Sequence, residues 1–110
     1  MARFVKGDVV VIPFPFSDLS EAKRRPALVV ANLTGDDLIL CQITSQHIKD
    51  TYSISLDEKH FKSGRLNSAS NIRPNRIFTA DTKIIFYKAG HLQKEKITEV
   101  IEKIIDIFNE

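Results

Sequence analysis

The sequence predicts a small, mainly β domain whose short strands form a strongly bent barrel closed by one C-terminal helix. Short β-branched and apolar runs recur between turn residues, which is the pattern of strands in a compact sheet. The last part of the chain instead carries apolar residues at the three-and-four spacing of an amphipathic helix. A chain of 110 residues can bury one core but not two, so we expect residues 1–110 to form a single domain.

Composition excludes several classes of protein. The formal net charge of +2 permits a local nucleic-acid-binding patch without demanding one. No apolar run approaches the roughly 18 residues of a membrane span, and the N-terminus lacks a signal-peptide pattern, so we expect a cytoplasmic protein with no membrane partner. The single cysteine, Cys41, lies in an apolar run and is interpreted as a core residue.

The first strand is predicted at Val9–Ile12, where four β-branched residues in a row indicate burial on both faces. Pro13 and Pro15 are expected to end it, because proline cannot donate to a β-ladder. Residues 13–24 then form a loop that is long for so small a domain, and such loops often serve function. Its two phenylalanines, Phe14 and Phe16, can either stack on a base or pin the loop to the core.

A hairpin is predicted next. Its strands are Ala27–Ala31 and Leu38–Ile43, joined by a turn at Thr34–Asp37. Antiparallel pairing brings the start of one strand to the end of the other, so Arg25 and Thr44 are expected at the same end of the sheet.

The remaining strands are shorter. The sequence predicts a half-exposed strand at Tyr52–Leu56, an irregular segment at Asp57–Ser68 and a strand at Asn71–Thr79 that Pro74 kinks or confines to an edge. A short strand at Ile84–Tyr87 is expected to stop by Gly90.

In the C-terminal helix, one face is apolar and predicted to pack on the core or on a partner, at Ile97, Val100, Ile101, Ile104, Ile105 and Phe108. The other face is charged and predicted to be solvated, at Glu95, Lys96, Glu99, Glu102, Lys103 and Asp106.

An anion-binding site is predicted where Lys23, Arg24 and Arg25 precede Pro26 at the mouth of the hairpin. Charges cannot be buried unpaired at low cost, and the planar fork of arginine suits a phosphate. The hydroxyl and amide side chains that face this cluster are Thr44, Ser45 and Gln46. From charge spacing alone, Arg25 can equally be a surface charge paired with Glu21 or Asp18, and His47 can be an acid–base group or an exposed loop residue.

Metal and nucleotide motifs are absent from the sequence. His47, His60 and His91 lie far apart without ligand spacing, and there is no glycine-rich phosphate loop. We therefore expect no metal and no cofactor.

Three segments in order resemble motifs of the MazF/PemK family, the toxins of type II toxin–antitoxin pairs. They are Gly7–Leu19, Lys23–Val30 and Gln42–Gln46, and the likeness continues through Ser70–Pro74, Ile77–Thr79 and the C-terminal helix. The resemblance implies an SH3-like plug barrel (MazF/PemK/CcdB-like), a homodimer, and metal-independent, sequence-specific cleavage of single-stranded RNA by its own 2′-hydroxyl.

Position by position, the resemblance implies that Arg25 stabilises the anion and transfers protons and that Thr44 is its partner on the scissile phosphate. Substrate contacts are expected from Lys23, Arg24, Phe16, Ser45, Gln46 and Arg73. A cognate antitoxin is expected to obstruct the loop at residues 13–24, and operator DNA is expected to be bound only through that antitoxin.

Two other functions stay open on sequence grounds. One is a non-catalytic nucleic-acid-binding barrel that keeps the phosphate site, and the other is an interaction module whose groove binds a peptide. Salt-sensitive binding of RNA and DNA without cleavage would favour the first, and capture of a peptide alone would favour the second.

Overall fold

The computed structural model describes residues 4–14 and 23–110, and within them seven antiparallel strands form one half-barrel sheet that precedes a C-terminal helix. The predicted mainly β fold with a C-terminal helix is confirmed. The elements are β1 (Asp8–Phe14), β2 (Lys23–Asn32), β3 (Asp37–Thr44), β4 (Ile54–Leu56), β5 (Phe61–Gly64), β6 (Ser70–Asp81), β7 (Tyr87–Leu92) and α1 (Lys94–Phe108). Their order across the sheet is β4-β6-β3-β2-β1-β7-β5.

Strand β1 is buried on both faces because the sheet packs against a hydrophobic cluster on each side. Val9 belongs to the cluster beneath α1, whereas Val10 and Ile12 belong to the second cluster, which includes Phe4 and Phe78. The continuous β-branched run is the sequence signature of this double burial. Cys41 is likewise fully buried in the first cluster, as predicted, and burial raises the pKa of its thiol to about 12.

Two prolines lie inside strands where the sequence predicted strand ends. Pro13 is part of β1 and pairs with Arg24, and Pro26 is part of β2 and pairs with Val11. The pairing of β2 with β3 begins only at Ala27, so Pro26 has a strand neighbour on one side alone. A proline is tolerated at such a position, and β2 therefore starts four residues earlier than predicted.

The predicted hairpin of β2 and β3 is confirmed, with its turn at residues 34–36 and Gly35 at a φ of +87°. The kink predicted in β6 is also present. Cys41 pairs with Ile77 and Gln42 with Arg73, so residues 74–76 bulge out of the ladder. The alternative of an edge strand is wrong, because β6 lies between β4 and β3.

Residues 57–68 are more ordered than the sequence predicted. A 3-10 turn at Glu58–His60 leads into β5. Its start is capped by two reciprocal hydrogen bonds between Asp57 and the last turn of the helix. The Asp57 carboxylate accepts a hydrogen bond from the Lys59 N–H, and His60 Nδ1 accepts one from the Asp57 N–H. This is the capping-box arrangement with histidine in the place of the usual Glu or Gln.

Strand β7 also differs from its prediction. Residues Thr82–Ile84 form a 3-10 turn, and β7 begins at Tyr87 and passes through Gly90 rather than stopping there. Position 90 requires a glycine because β5 lies close to it. A Cβ at this position would lie 2.5 Å from the Ser63 carbonyl oxygen. The glycine therefore serves close packing rather than a chain break.

The apolar face of α1 packs on the sheet for most of its length. Val100 is fully buried, and Ile97, Ile101 and Ile104 pack against the same cluster. Ile105 and Phe108, at the end of the helix, are 52% and 71% exposed. The prediction of a wholly solvated charged face is wrong for Lys96, which is buried and donates to the Ser55 carbonyl oxygen over 3.1 Å while pairing with Glu99. No helix among the described residues is long and apolar enough to cross a membrane.

Acid should destabilise the fold through His60. Burial, reinforced by nearby Lys96, lowers the pKa of His60 below its ordinary value of 6.5, and protonation would also remove the acceptor of the Asp57 N–H. The unfolded chain binds this proton more tightly, so His60 stabilises the fold fully above pH 6.5 and progressively less below it.

A His60→Gln variant keeps a side-chain acceptor for the cap but does not titrate. Urea unfolding between about pH 7.5 and about pH 5.5 should show wild type losing stability relative to this variant as the pH falls. Equal pH dependence in the two proteins would contradict the role assigned to His60.

Candidate active site

A cleft of about 240 Å³ lies at the end of the β2–β3 hairpin. It is bordered by two arginines, several hydroxyl residues and a few apolar ones: Val11, Arg24, Arg25, Pro26, Ile43, Thr44, Ser45, Leu66, Asn67, Ser68, Ser70 and Tyr87. These described lining residues include no acidic side chain. The cleft is therefore electropositive and suited to an anion.

The strand register brings Arg25 and Thr44 to this cleft together. Ala27 pairs with Gln42, and two residues further along each strand stand Arg25 and Thr44. Both are half-buried and both border the cleft. The predicted proximity of these two residues is thus confirmed, and it follows from antiparallel geometry.

The Thr44 hydroxyl is oriented by the chain that follows it. Its Oγ1 accepts a hydrogen bond from the Gln46 N–H over 3.1 Å, and the Gln46 carbonyl oxygen accepts one from Asn71 Nδ2 over 3.0 Å. A hydroxyl that accepts from the backbone keeps its own proton for donation. Thr44 can therefore donate to an oxygen of a bound phosphate.

The two adjacent arginines differ in their contacts. The Arg24 guanidinium lies over the Phe86 ring, 4.9 Å from its centre, in a cation–π contact. Arg25 pairs with no acidic residue among the described residues. Glu21 and Asp18, the partners of the alternative interpretation, lie outside the described residues, as does Phe16.

The other predicted contact residues do not all reach the cleft. Ser45 borders it, whereas Lys23 and Gln46 are exposed and are not among the lining residues. Gln46 contributes through its backbone, which holds Thr44. Arg73 also lies apart from the lining residues, on strand β6.

Arg73 is committed to an ion pair instead. Its Nη2 lies 3.2 Å from Asp50 Oδ2, and its side chain is only 16% exposed. Burial alone would raise the pKa of Asp50, but hydrogen bonds from the N–H groups of Ser53 and Tyr52 and the contact with Arg73 lower it overall. Arg73 thus anchors the segment after β3 to the kinked strand β6.

The structure adds cleft residues that the sequence did not indicate. Tyr87 opens β7, and Leu66, Asn67 and Ser68 belong to the segment between β5 and β6. None carries a motif, and they join the cleft only because β7 and β6 return to the sheet beside the hairpin. Only the sheet topology could have placed them here.

The histidines remain separate in the structure. His47 is exposed, which agrees with the loop interpretation, and His60 caps a 3-10 turn. His91 Nδ1 lies 2.7 Å from a carboxylate oxygen of buried Asp8, a pair that sequence spacing did not indicate. Within the described part of the chain, no group of three His, Cys, Asp or Glu residues is placed to hold a metal ion.

A family model described as the PemK-like, MazF-like toxin of type II toxin–antitoxin system matches residues 5–108. The chain belongs to this family. The match includes both strands that carry Arg25 and Thr44, and it confirms the resemblance drawn from the sequence motifs. No curated protein sequence is significantly similar to this MazF-like chain.

Several solved structures, MazF toxins among them, share its fold. MazF from Deinococcus radiodurans (Form-I) superimposes with a TM-score of 0.76 at 18% identity, covering 100% of both chains. An endoribonuclease in complex with its cognate antitoxin from Mycobacterial species gives a TM-score of 0.76 at 10% identity, covering 96% of this chain and 95% of that one. Mycobacterium tuberculosis toxin MazF-mt6 gives 0.73 at 15% identity, covering 93% and 96%. At these identities the likeness establishes the fold.

Replacing Arg73 should destabilise the MazF-like fold. Arg73→Met removes the partner of Asp50 and should lower the melting temperature by a few degrees, because the lost ion pair is partly shielded from solvent. Arg76→Met is the matched control, since Arg76 lies on the same strand but is exposed. Thermal unfolding followed by circular dichroism measures both, and equal melting temperatures would contradict the anchoring role.

Proposed function

We propose that this chain is a metal-independent endoribonuclease that cleaves single-stranded RNA in a sequence-specific manner, with Arg25 and Thr44 as its catalytic residues. The observation that carries the proposal is that the hairpin brings a guanidinium and an oriented hydroxyl to one electropositive cleft. Family membership supports the toxin role, and structural relatives include proteins described as endoribonucleases.

The proposed reaction uses the substrate's own nucleophile. The RNA 2′-oxygen attacks the adjacent phosphorus, the bond from phosphorus to the 5′-oxygen breaks, and the products are a 2′,3′-cyclic phosphate and a 5′-hydroxyl end. One proton leaves the 2′-hydroxyl and one reaches the 5′-oxygen, so no cofactor is consumed. DNA cannot react because it lacks the nucleophile.

We assign the electrostatic part of catalysis to Arg25. The pentavalent transition state carries more negative charge on its phosphoryl oxygens than the ground state does, and a fixed guanidinium stabilises that difference. Arg25 is also assigned the proton transfer: one guanidinium N–H protonates the departing 5′-oxygen, and the proton released by the 2′-hydroxyl replaces it, so the residue carries the same charge before and after the step. Thr44 donates its hydroxyl proton to a non-bridging oxygen, a role for which the Gln46 N–H has oriented it.

Arg24 and Ser45 are assigned to substrate binding beside this pair, since both border the cleft. Lys23, at the exposed start of β2, extends the positive charge toward the RNA backbone. Contacts from Phe16 and Gln46 remain predictions from the family resemblance. Arg73 is reassigned to the structural ion pair with Asp50.

The proposed partners follow from the family. A cognate antitoxin would hold the toxin inactive, as relatives solved with an antitoxin suggest. We also propose a homodimer, contact with operator DNA only through the antitoxin, action in the cytoplasm, and a single functional domain over residues 1–110.

Loss of Arg25 should abolish most RNA cleavage. A mixed-sequence single-stranded RNA is incubated in excess EDTA with wild type, Arg25→Ala, Thr44→Val or the matched control Arg76→Ala. Wild type should yield discrete fragments with cyclic-phosphate ends, and Arg25→Ala should cut about a hundredfold more slowly or worse, as expected when a transition-state charge stabiliser is removed. Thr44→Val should also be slower, and Arg76→Ala should match wild type.

The substrate supplies a second control. The same oligonucleotide made as DNA should remain uncut, because the nucleophile is missing. An intact RNA with folded wild type would overturn the proposed activity for this substrate. Salt-sensitive binding without cleavage would then favour the non-catalytic nucleic-acid-binding barrel, and binding of a peptide alone would favour the interaction module.

A further inference from the structure

We infer that Tyr87 is a base-stacking platform, which holds the base of a nucleotide beside the scissile phosphate while Asn67 meets the edge of that base from across the cleft. The inference rests on the proposed function and deepens it by naming where the substrate's base is held. Neither residue belongs to the motifs that identify the family in this sequence.

The first observation is the exposure of the aromatic ring. Tyr87 is 50% exposed although it occupies a strand, and its neighbour Phe86 is 51% exposed. Exposing a large aromatic side chain to water is unfavourable in free energy, and binding a ligand over the ring removes that unfavourable contact. Arg24 already lies over Phe86, which leaves Tyr87 as the open ring among the described residues that border the cleft.

The second observation is the lateral alignment of Tyr87 with the catalytic hairpin. Tyr87 pairs with Val11, and Val11 pairs with Pro26, the residue after Arg25. Residues in one cross-strand row share a face of the sheet, and two strand spacings separate Tyr87 from Pro26 by about 10 Å. The row places the Tyr87 ring two strands away from the residue that follows Arg25, and Tyr87 and Arg25 both border the cleft.

The third observation is the opposite wall. Leu66 packs on the core and Asn67 projects into solvent, and both border the cleft that holds Arg25 and Thr44. No described residue hydrogen-bonds the Asn67 side-chain amide. An amide carries both donors and an acceptor, so it can pair with the edge of a base.

Charge favours RNA as the occupant. The cleft bordered by Tyr87 contains two arginines and no acidic residue among its described lining residues. The neighbouring cleft on the far side of Leu66 is bordered by Asp57 and Glu58, which would repel a phosphate. The phosphate backbone of the RNA is therefore expected to follow the two arginines. There the Tyr87 ring is close enough to stack on a base. Aromatic stacking beside basic side chains is the usual means of holding single-stranded RNA.

The test measures binding apart from cleavage. A uniformly 2′-fluoro RNA lacks the nucleophile, and its affinity is measured by fluorescence anisotropy for wild type, Tyr87→Ala and Tyr87→Phe. Tyr87→Ala should bind roughly 5- to 150-fold more weakly, and Tyr87→Phe should stay near wild type because it keeps the ring. Phe108→Ala is the matched control, since Phe108 is an exposed aromatic residue on α1 outside the cleft. Thermal unfolding verifies that each variant is folded.

Abasic substitutions separate stacking from a merely structural role. A single abasic site is moved along the 2′-fluoro RNA one position at a time. Wild type should lose affinity at one position in particular, and Tyr87→Ala should be insensitive at that same position. Asn67→Ala should alter which base is preferred there without removing the abasic effect.

Intrinsic fluorescence gives an independent reading. The chain has no tryptophan and two tyrosines, so Tyr52→Phe leaves Tyr87 as the sole source of tyrosine emission. Adding the 2′-fluoro RNA should quench that emission, and Tyr87→Phe, which keeps Tyr52 alone, should not be quenched.

Several results would overturn the inference: no RNA binding by wild type, equal affinity for wild type and Tyr87→Ala, or the same abasic profile in both. A change in oligomeric state in Tyr87→Ala, measured by sedimentation with an unchanged abasic profile, would instead assign the ring to a protein contact. If wild type binds through Tyr87 but cuts no RNA, the base site stands and the proposed cleavage fails.

Discussion

The register of the β2–β3 hairpin is the constraint on which the candidate site depends. Pairing of Ala27 with Gln42 places Arg25 and Thr44 at the open end of both strands. A slip of one residue would turn every side chain of a strand to the other face of the sheet. That slip is opposed by the core on both sides, because Leu28 and Cys41 lie in one buried cluster and Val29 and Leu40 in the other. The packing that stabilises the fold therefore also fixes the pair proposed for catalysis.

Much of the fold could be predicted from the sequence because its signals are local. Four consecutive β-branched residues indicated a strand buried on both faces, and the three-and-four spacing indicated α1. The juxtaposition of Arg25 and Thr44 followed from one hairpin and needed no long-range information. The family motifs then selected Arg25 over Arg24, a choice that charge spacing alone does not make.

The failures of prediction share a different cause. Pro13, Pro26 and Gly90 were placed at or just outside strand ends, yet each lies within a strand. Whether a proline or glycine ends a strand depends on the neighbouring strand. Lys96 was placed on a solvated face but is buried, because a carbonyl oxygen of β4 accepts a hydrogen bond from its ammonium group. Arg73 was expected to contact substrate, and its partner Asp50 is 23 residues away in sequence. Such contacts depend on tertiary structure and leave no local pattern.

The cleft is bordered on one side by the paired strands of the hairpin and on the other by an irregular segment, and the two sides differ in how tightly the core holds them. Arg25 and Thr44 stand on paired strands whose central residues, such as Leu28 and Cys41, are fully buried, so their separation is held by the core. Leu66, Asn67 and Ser68 belong to an irregular segment with exposed polar side chains, and Tyr87 stands at the first residue of its strand. Substitution of Asn67 or Ser68 in that segment costs the core little, whereas substitution of the buried hairpin residues would disturb both clusters. The hairpin can therefore keep the phosphate chemistry constant, while substitutions in the segment between β5 and β6 change which bases the cleft accepts.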